Sequence, residues 1–197
     1  MIKSDFPIIL ASKSPRRKKL LEQINLKFEV FDSGFDEDSI VFSEPENYCQ
    51  ILALSKAKNV AEKLQNPSVV IGADTIVVLD NEILNKPIDE QNAYDMLKKL
   101  SGKTHTVYTG LAFVFSGKMN AKTCYQKTEV TFRVLEDDEI NEYIKSGSPL
   151  DKAGAYGIQD DYGAVFVNHI VGCYYNIVGL PLELFYTKLN EFLSHEF

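Results

Sequence analysis

The run SVVIGADTIVVLD at residues 68–80 constrains the fold of this chain more than any other stretch. It is a continuous apolar run of strand length and reads as core, yet it carries Asp74 in its middle. A carboxylate there is costly unless it is hydrogen-bonded, bound to a metal or placed at the strand's exposed end. Gly72, two residues earlier, permits a bulge or the close approach of a ligand. Two readings stay open: a structural aspartate bonded to a neighbouring turn, or a metal ligand or general base.

Around that strand the chain alternates strand and helix signals. FPIILAS (6–12) predicts a buried strand, and Ser14-Pro15 an N-cap with proline at the first helical position, ahead of an apolar face of Leu20, Leu21 and Ile24. LKFEVFDSG (26–34) suggests a second strand running into the acidic loop FDEDS. Residues 45–64 carry helical periodicity through Ile51, Leu52, Ala57, Val60, Ala61 and Leu64. Asp80-Asn81 turns the central strand into EILNKP, and a helix follows from Asp89 as N-cap to Leu100, ending at Ser101-Gly102. Residues 106–116 and a polar-alternating strand ending in TEVTFRVL (128–135), joined around Ser116-Gly117, form a hairpin signature. A helix over 136–147 is closed by Gly147, and residues 151–179 hold five of the eleven glycines, with short strands expected around Ala164–Ile170. Pro181 opens a terminal amphipathic helix with Leu182, Phe185, Leu189 and Phe192 on its inner side. This alternation with one long hairpin predicts a mixed α/β sheet with a second lobe, and 197 residues suffice for one domain of two fused lobes.

The net charge of -7 argues against bulk binding of nucleic acid or an anionic membrane, so any basic site must be local. The longest apolar runs are too short and interrupted for a membrane span, and the N-terminus makes no signal peptide. Cys49, Cys124 and Cys173 are widely spaced, without CxxC or a nearby His, which argues against a disulfide framework or zinc site and makes a reducing cytoplasm the expected location.

The local basic site is LASKSPRRKKLL (10–21), which puts Arg16, Arg17, Lys18 and Lys19 in the first turn of a helix whose own N–H groups already make that end positive. A strand, a tight turn at Ser12–Ser14 and two arginines form an anion trap in which N–H groups and guanidinium forks converge on phosphate oxygens. A solvated basic helix face and a small nucleic-acid patch are the competing readings. Other isolated charges are weaker signals. Glu37 lies in the acidic loop, where Asp32, Asp36 and Asp38 can simply be solvated, and Lys56 sits in a helix where a surface lysine is the commoner outcome. Lys86 precedes Pro87 in a loop, while Lys152 and Gln159 flank AGAYG, whose glycines lack the lysine-serine of a P-loop.

Together LASKSPRR, GADTIV with a following NKP, LSGKTHTVYTG, DKAGAYGIQ and YNIVGLPL resemble the Maf family of nucleoside triphosphate pyrophosphatases, in the family's order from residue 8 to about 190. The related inosine-triphosphate pyrophosphatases share the fold but lack the SPRR turn. The resemblance implies an elongated mixed α/β sheet flanked by helices, in two lobes with a nucleotide cleft between them. It implies hydrolysis of a nucleoside triphosphate to monophosphate and pyrophosphate with a divalent cation, Mg²⁺ or Mn²⁺. Carried over by position, Ser12, Arg16 and Arg17 would hold phosphates, and Glu37 and Asp74 the metal. Asp74, Lys56, Lys86 and Gln159 would be catalytic. GADTIV and the run Thr104–Thr109 look like the branch acting on dTTP and UTP, with 7-methyl-GTP hydrolysis as the alternative. Family members form dimers, so the resemblance extends to a homodimer. It also leaves a different class open: a nucleotide-binding regulator of septum formation with little catalysis, disfavoured by the carboxylates beside the phosphate residues. An RNA-binding module fails on net charge and on the lack of a stacking-aromatic motif.

Overall fold

A computed structural model of the chain describes residues 2–37, 40, 44–159 and 162–195. The elements begin with β1 (Ile8–Leu10), α1 (Pro15–Gln23), β2 (Glu29–Val30), α2 (Pro45–Ala61), β3 (Val69–Leu79) and β4 (Glu82–Leu84). They continue with α3 (Glu90–Leu100), β5 (Thr104–Phe115), β6 (Asn120–Phe132), α4 (Asp137–Lys145), β7 (Val167–Val171), α5 (Tyr174–Val178) and α6 (Leu182–His195). The strands hydrogen-bond in the order β2-β1-β3-β5-β6-β7, with β4 paired to β3. The sheet is mixed, as expected: β1 pairs parallel with β2 and β3, whereas β3–β4 and β6–β7 are antiparallel.

Local chemistry explains most boundaries. Ser14 is extended (φ -64, ψ 115) and its Oγ accepts from Arg17 N at 3.4 Å, with Pro15 opening α1. Asp89 Oδ1 accepts from Asn92 N at 2.7 Å to start α3, and a Glu136–Glu139 capping box starts α4. Asp80 (φ 51) and Asn81 (φ 66) both adopt the left-handed region that a two-residue hairpin turn demands.

The structure departs from expectation at three places. Only Glu29–Val30 of residues 26–34 are strand, and both are exposed at the sheet edge. β6 ends at Phe132, short of Leu135, although Arg133 N still donates to Phe166 O at 2.9 Å and its carbonyl accepts from Gly102 N at 3.0 Å. The Arg133 guanidinium forks onto Glu139 at 2.7 and 2.6 Å and donates to Val165 O. Residues 162–166 form a 3₁₀ turn, so the strand expected from Ala164 begins at Val167, and α5 follows it unforeseen.

Two compact units divide the chain: residues 1–74, 109–126 and 179–197 form the first, and 75–108 with 127–178 the second. In the first, α2 lays Ala53, Ala57, Val60 and Ala61 on Ile9, Val70, Ala112 and Val114. Phe113, pointing to the other face of β5, meets Phe185 and Phe192 of α6 at 5.8 and 6.0 Å. In the second unit α3 and α4 contribute Leu97, Ile140 and Tyr143 to a core with Phe132, Tyr156 and Phe166. Among the described residues, no helix is long and apolar enough to cross a membrane.

Candidate active site

β1 feeds directly into the cationic helix. Ala11 N donates to Ile71 O at 2.8 Å, the last tie to β3 before the chain leaves the sheet. Ser12, buried in the turn, accepts on its Oγ from Ser14 N at 3.2 Å and from an Arg17 terminal nitrogen at 3.3 Å. Arg17 Nε donates to Gly179 O at 2.9 Å, so this guanidinium is clamped by backbone and hydroxyl oxygens. Burial pushes its pKa down and the Asp74 carboxylate pulls it back up. Three of the cations therefore differ in kind. Arg17 is tied inward and Arg16 is half-buried beside it, whereas Lys18 pairs with Glu22, both exposed, at 3.7 Å.

Deeper in the same unit lies the strand carboxylate. Asp74 is 5% exposed, and its Oδ1 accepts from Lys56 Nζ at 2.5 Å. The same Nζ lies 2.7 Å from Glu37 Oε1, whose side chain is half-exposed. Lys56 thus departs from the surface lysine expected of its helix: it is 8% exposed and turned onto β3. Asp74 is likewise a paired carboxylate rather than a lone one. Burial still pushes its pKa up, with Lys56 and then Arg17 opposing the shift.

Two glycines make the lysine's position reachable. A Cβ on Gly72 would run into Ala53 O, and one on Gly110 of β5 into Cys49 O. Cys49, Ala53 and Ala57 are successive turns of one α2 face, so the helix backbone itself rests on two strands. Gly72 admits this helix, where the sequence alone pointed to a bulge or a ligand. Lys56 follows three residues after Ala53, and Asp74 two residues after Gly72 on the same strand face. The neighbouring Cys49 thiol is pushed up to about 12 by burial, which leaves it inert as a nucleophile.

The segment leading to Glu37 is also tied down. Lys13 pairs with Asp32 at 2.7 Å, Asp32 Oδ1 accepts from Gly34 N at 3.1 Å, and Lys63 Nζ donates to Ser33 O at 3.2 Å. Lys13, through its hydrogen bond, holds the Asp32 carboxyl below its usual range. Neither lysine stood out in the sequence, because an isolated surface lysine carries no signal until its partner is known. Asp38 of the expected acidic loop lies outside the described residues.

Glu37 and Asp74 are hard oxygen donors suited to Mg²⁺ or Mn²⁺. Among the described residues, no group of three or more His, Cys, Asp or Glu side chains converges to hold a metal. A carboxylate pair fits a cation that takes its remaining ligands from substrate phosphate and water. The structure thus brings Ser12, Arg17, Lys56, Asp74 and Glu37 into one connected set, with Arg16 alongside. Lys86 and Gln159 belong to the second unit. Lys86 is exposed before the buried Pro87, and the buried Oε1 of Gln159 has no hydrogen-bond partner among the described residues.

Known proteins match the chain along nearly its whole length. A family model described as Maf-like protein matches residues 7–192. A dTTP/UTP pyrophosphatase of Bacillus cytotoxicus is 51% identical over 186 residues, covering 94% of this chain and 95% of that protein. One of Bacillus mycoides is 50% identical, covering 95% and 96%, and one of Clostridium beijerinckii 47% identical, covering 93% and 98%. With a family model matching residues 7–192 and relatives about half identical over nearly their full lengths, the chain belongs to the Maf family.

Proposed function

We propose that the chain hydrolyses dTTP and UTP at the bond between the α and β phosphates, releasing the nucleoside monophosphate and pyrophosphate. The observation that carries this reading is the Lys56 ammonium at 2.5 Å from Asp74 and 2.7 Å from Glu37, in one unit with the Ser12–Arg17 turn. The names of relatives about half identical over nearly their full lengths support the substrate pair.

The roles follow from chemistry. Arg16 and Arg17, at a helix N-terminus, offer planar donor forks to phosphate oxygens, and Ser12 shapes the turn that aims them. Asp74 accepts the proton of the attacking water, and its upward pKa shift brings it towards the working pH of a general base. Lys56 neutralises charge building on the leaving pyrophosphate. Glu37 and Asp74 would hold Mg²⁺ or Mn²⁺, which when bound supplies further charge neutralisation on the phosphates. Lys86 and Gln159 enter through the family resemblance, with the whole chain acting as one domain. A cytoplasmic location and a homodimer belong to the same proposal; the mass in solution checks the second.

The test is a panel of canonical nucleotides, with 7-methyl-GTP included, and with products separated. dTMP or UMP with pyrophosphate is expected. dTDP or UDP with orthophosphate as first products would overturn the bond assignment, and preferential cleavage of 7-methyl-GTP would overturn the substrate assignment.

A further inference from the structure

Both candidate metal ligands take the same proton donor. Lys56 Nζ sits 2.5 Å from Asp74 Oδ1 and 2.7 Å from Glu37 Oε1. A compact ammonium between two carboxylates stands where a small divalent cation shared by those oxygens would stand. The two cannot occupy that point together, because like charges at contact range repel strongly away from bulk water. Lys56 cannot simply be pushed back with its helix. α2 rests backbone-on-strand at Gly72 and Gly110, so displacement must come from rotation of the side chain alone. Its flexible stem allows that, whereas the nearby Arg17 guanidinium is fixed by Gly179 O and Ser12 Oγ.

We infer that Lys56 is a resident occupant of the carboxylate pair. The protein alone takes up a divalent cation weakly, and does so tightly only when a nucleoside triphosphate draws the ammonium onto its phosphates. The inference rests on the proposed pyrophosphatase reading and its metal-holding pair. It adds an order of events: cation and nucleotide arrive as one complex, and the two bind with a coupling that acts equally in both directions. The device also keeps the buried Asp74 charge balanced while the site waits for substrate.

The test titrates Mn²⁺ alone against the purified protein, reading the free aquo-ion by electron paramagnetic resonance. The titration is repeated with a non-hydrolysable α,β-methylene dTTP, corrected for what that analogue binds by itself. Wild-type protein should bind Mn²⁺ on the order of ten-fold or more tightly with the analogue than without it. Lys56→Met, of similar length and uncharged, should raise affinity for Mn²⁺ alone by a comparable factor, while Lys56→Arg should leave it weak. Wild-type affinity that is tight and unchanged by the analogue would overturn the inference without recourse to any variant. So would a folded Lys56→Met protein that binds Mn²⁺ alone no better than wild type while the analogue still promotes binding to wild type. No Mn²⁺ uptake by wild type even with the analogue would instead remove the metal-holding pair, and the inference with it.

Discussion

Asp74 in the first unit keeps Lys56 at 2.5 Å and feels Arg17 beyond it, whereas His105 in the second unit shares one neutral hydrogen bond, 2.8 Å from Nε2 to the Tyr156 hydroxyl. Both groups are almost wholly buried. His105 packs edge-on against Phe132 with ring centroids 5.0 Å apart, and burial alone pushes its pKa down to about 4. The Tyr156 hydroxyl is pushed up by the same cause. The second unit thus solves desolvation by giving up charge, the less expensive arrangement for a core. The first unit keeps acids and bases together in ionisable pairs, where a well-packed apolar set would serve stability as well or better. On the proposed reading, the charge kept against desolvation belongs to the working site and the neutral His105–Tyr156 pair to the structure.

Removing the Asp74 charge tests this contrast most severely. Asp74→Asn should lower kcat for dTTP by ~10²–10⁴-fold. Its fold should persist, because Lys56 retains Glu37 at 2.7 Å. The upward shift of Asp74 fixes the sign of the pH effect: the native state holds this proton more tightly than the unfolded chain does. Stability attributable to the carboxylate therefore falls as pH rises above the ordinary carboxylate range. Asp74→Asn should gain on wild type in melts as pH rises, and the gap should close towards acid. A nearly active Asp74→Asn enzyme would remove Asp74 from the mechanism, and an inactive one that melts far earlier would make it structural.

What was legible in the sequence was local. Ser14-Pro15, Asp89 and Asp80-Asn81 each carry their own boundary chemistry, and the elements begin or turn where those residues stand. The inward turn of Lys56 was not legible, because it depends on Gly72 and Gly110, glycines on two other strands that admit α2. Spacing likewise cannot separate Arg16 from Arg17. That difference is made by the carbonyl of Gly179, 162 residues further along the chain. The thin β2 is a failure of another kind. Among the described residues, the strand expected over 26–34 pairs with one short parallel neighbour, β1, through Glu29 and Val30.

The cationic turn sharpens the contrast within one helix. Arg16→Ala should cost ~2–4 kcal/mol in kcat/KM while leaving the fold intact, as loss of a fork on phosphate. Arg17→Ala should lower both activity and melting temperature, since Gly179 O and Ser12 Oγ lose their donor. Lys18→Ala, whose partner is an exposed Glu22, should change stability by no more than ~0.5 kcal/mol and leave activity alone. Equal losses of activity at residues 16 and 18 would mean that the cluster acts through diffuse charge only.

The His105–Tyr156 pair supplies the opposite limit, a buried polar pair whose removal should be felt in stability and not in turnover. With its pKa near 4, below the ordinary value of 6.5, native His105 stays neutral where the unfolded chain takes up a proton. The stability this neutrality preserves is full above pH ~6.5 and is lost as pH falls towards ~4, up to about 3 kcal/mol across the window. His105→Gln keeps a hydrogen-bonding side chain beside Tyr156 and cannot titrate, so its stability should be nearly flat over that window. At neutral pH it should lie below wild type by only ~1 kcal/mol, the scale of one imperfect hydrogen bond. Denaturant titrations of both proteins at a series of pH values, with kcat for dTTP measured at neutral pH, decide the matter. A loss of turnover in a His105→Gln protein that remains folded would place this pair in the chemistry and end the division between a charged working cluster and a neutral structural one.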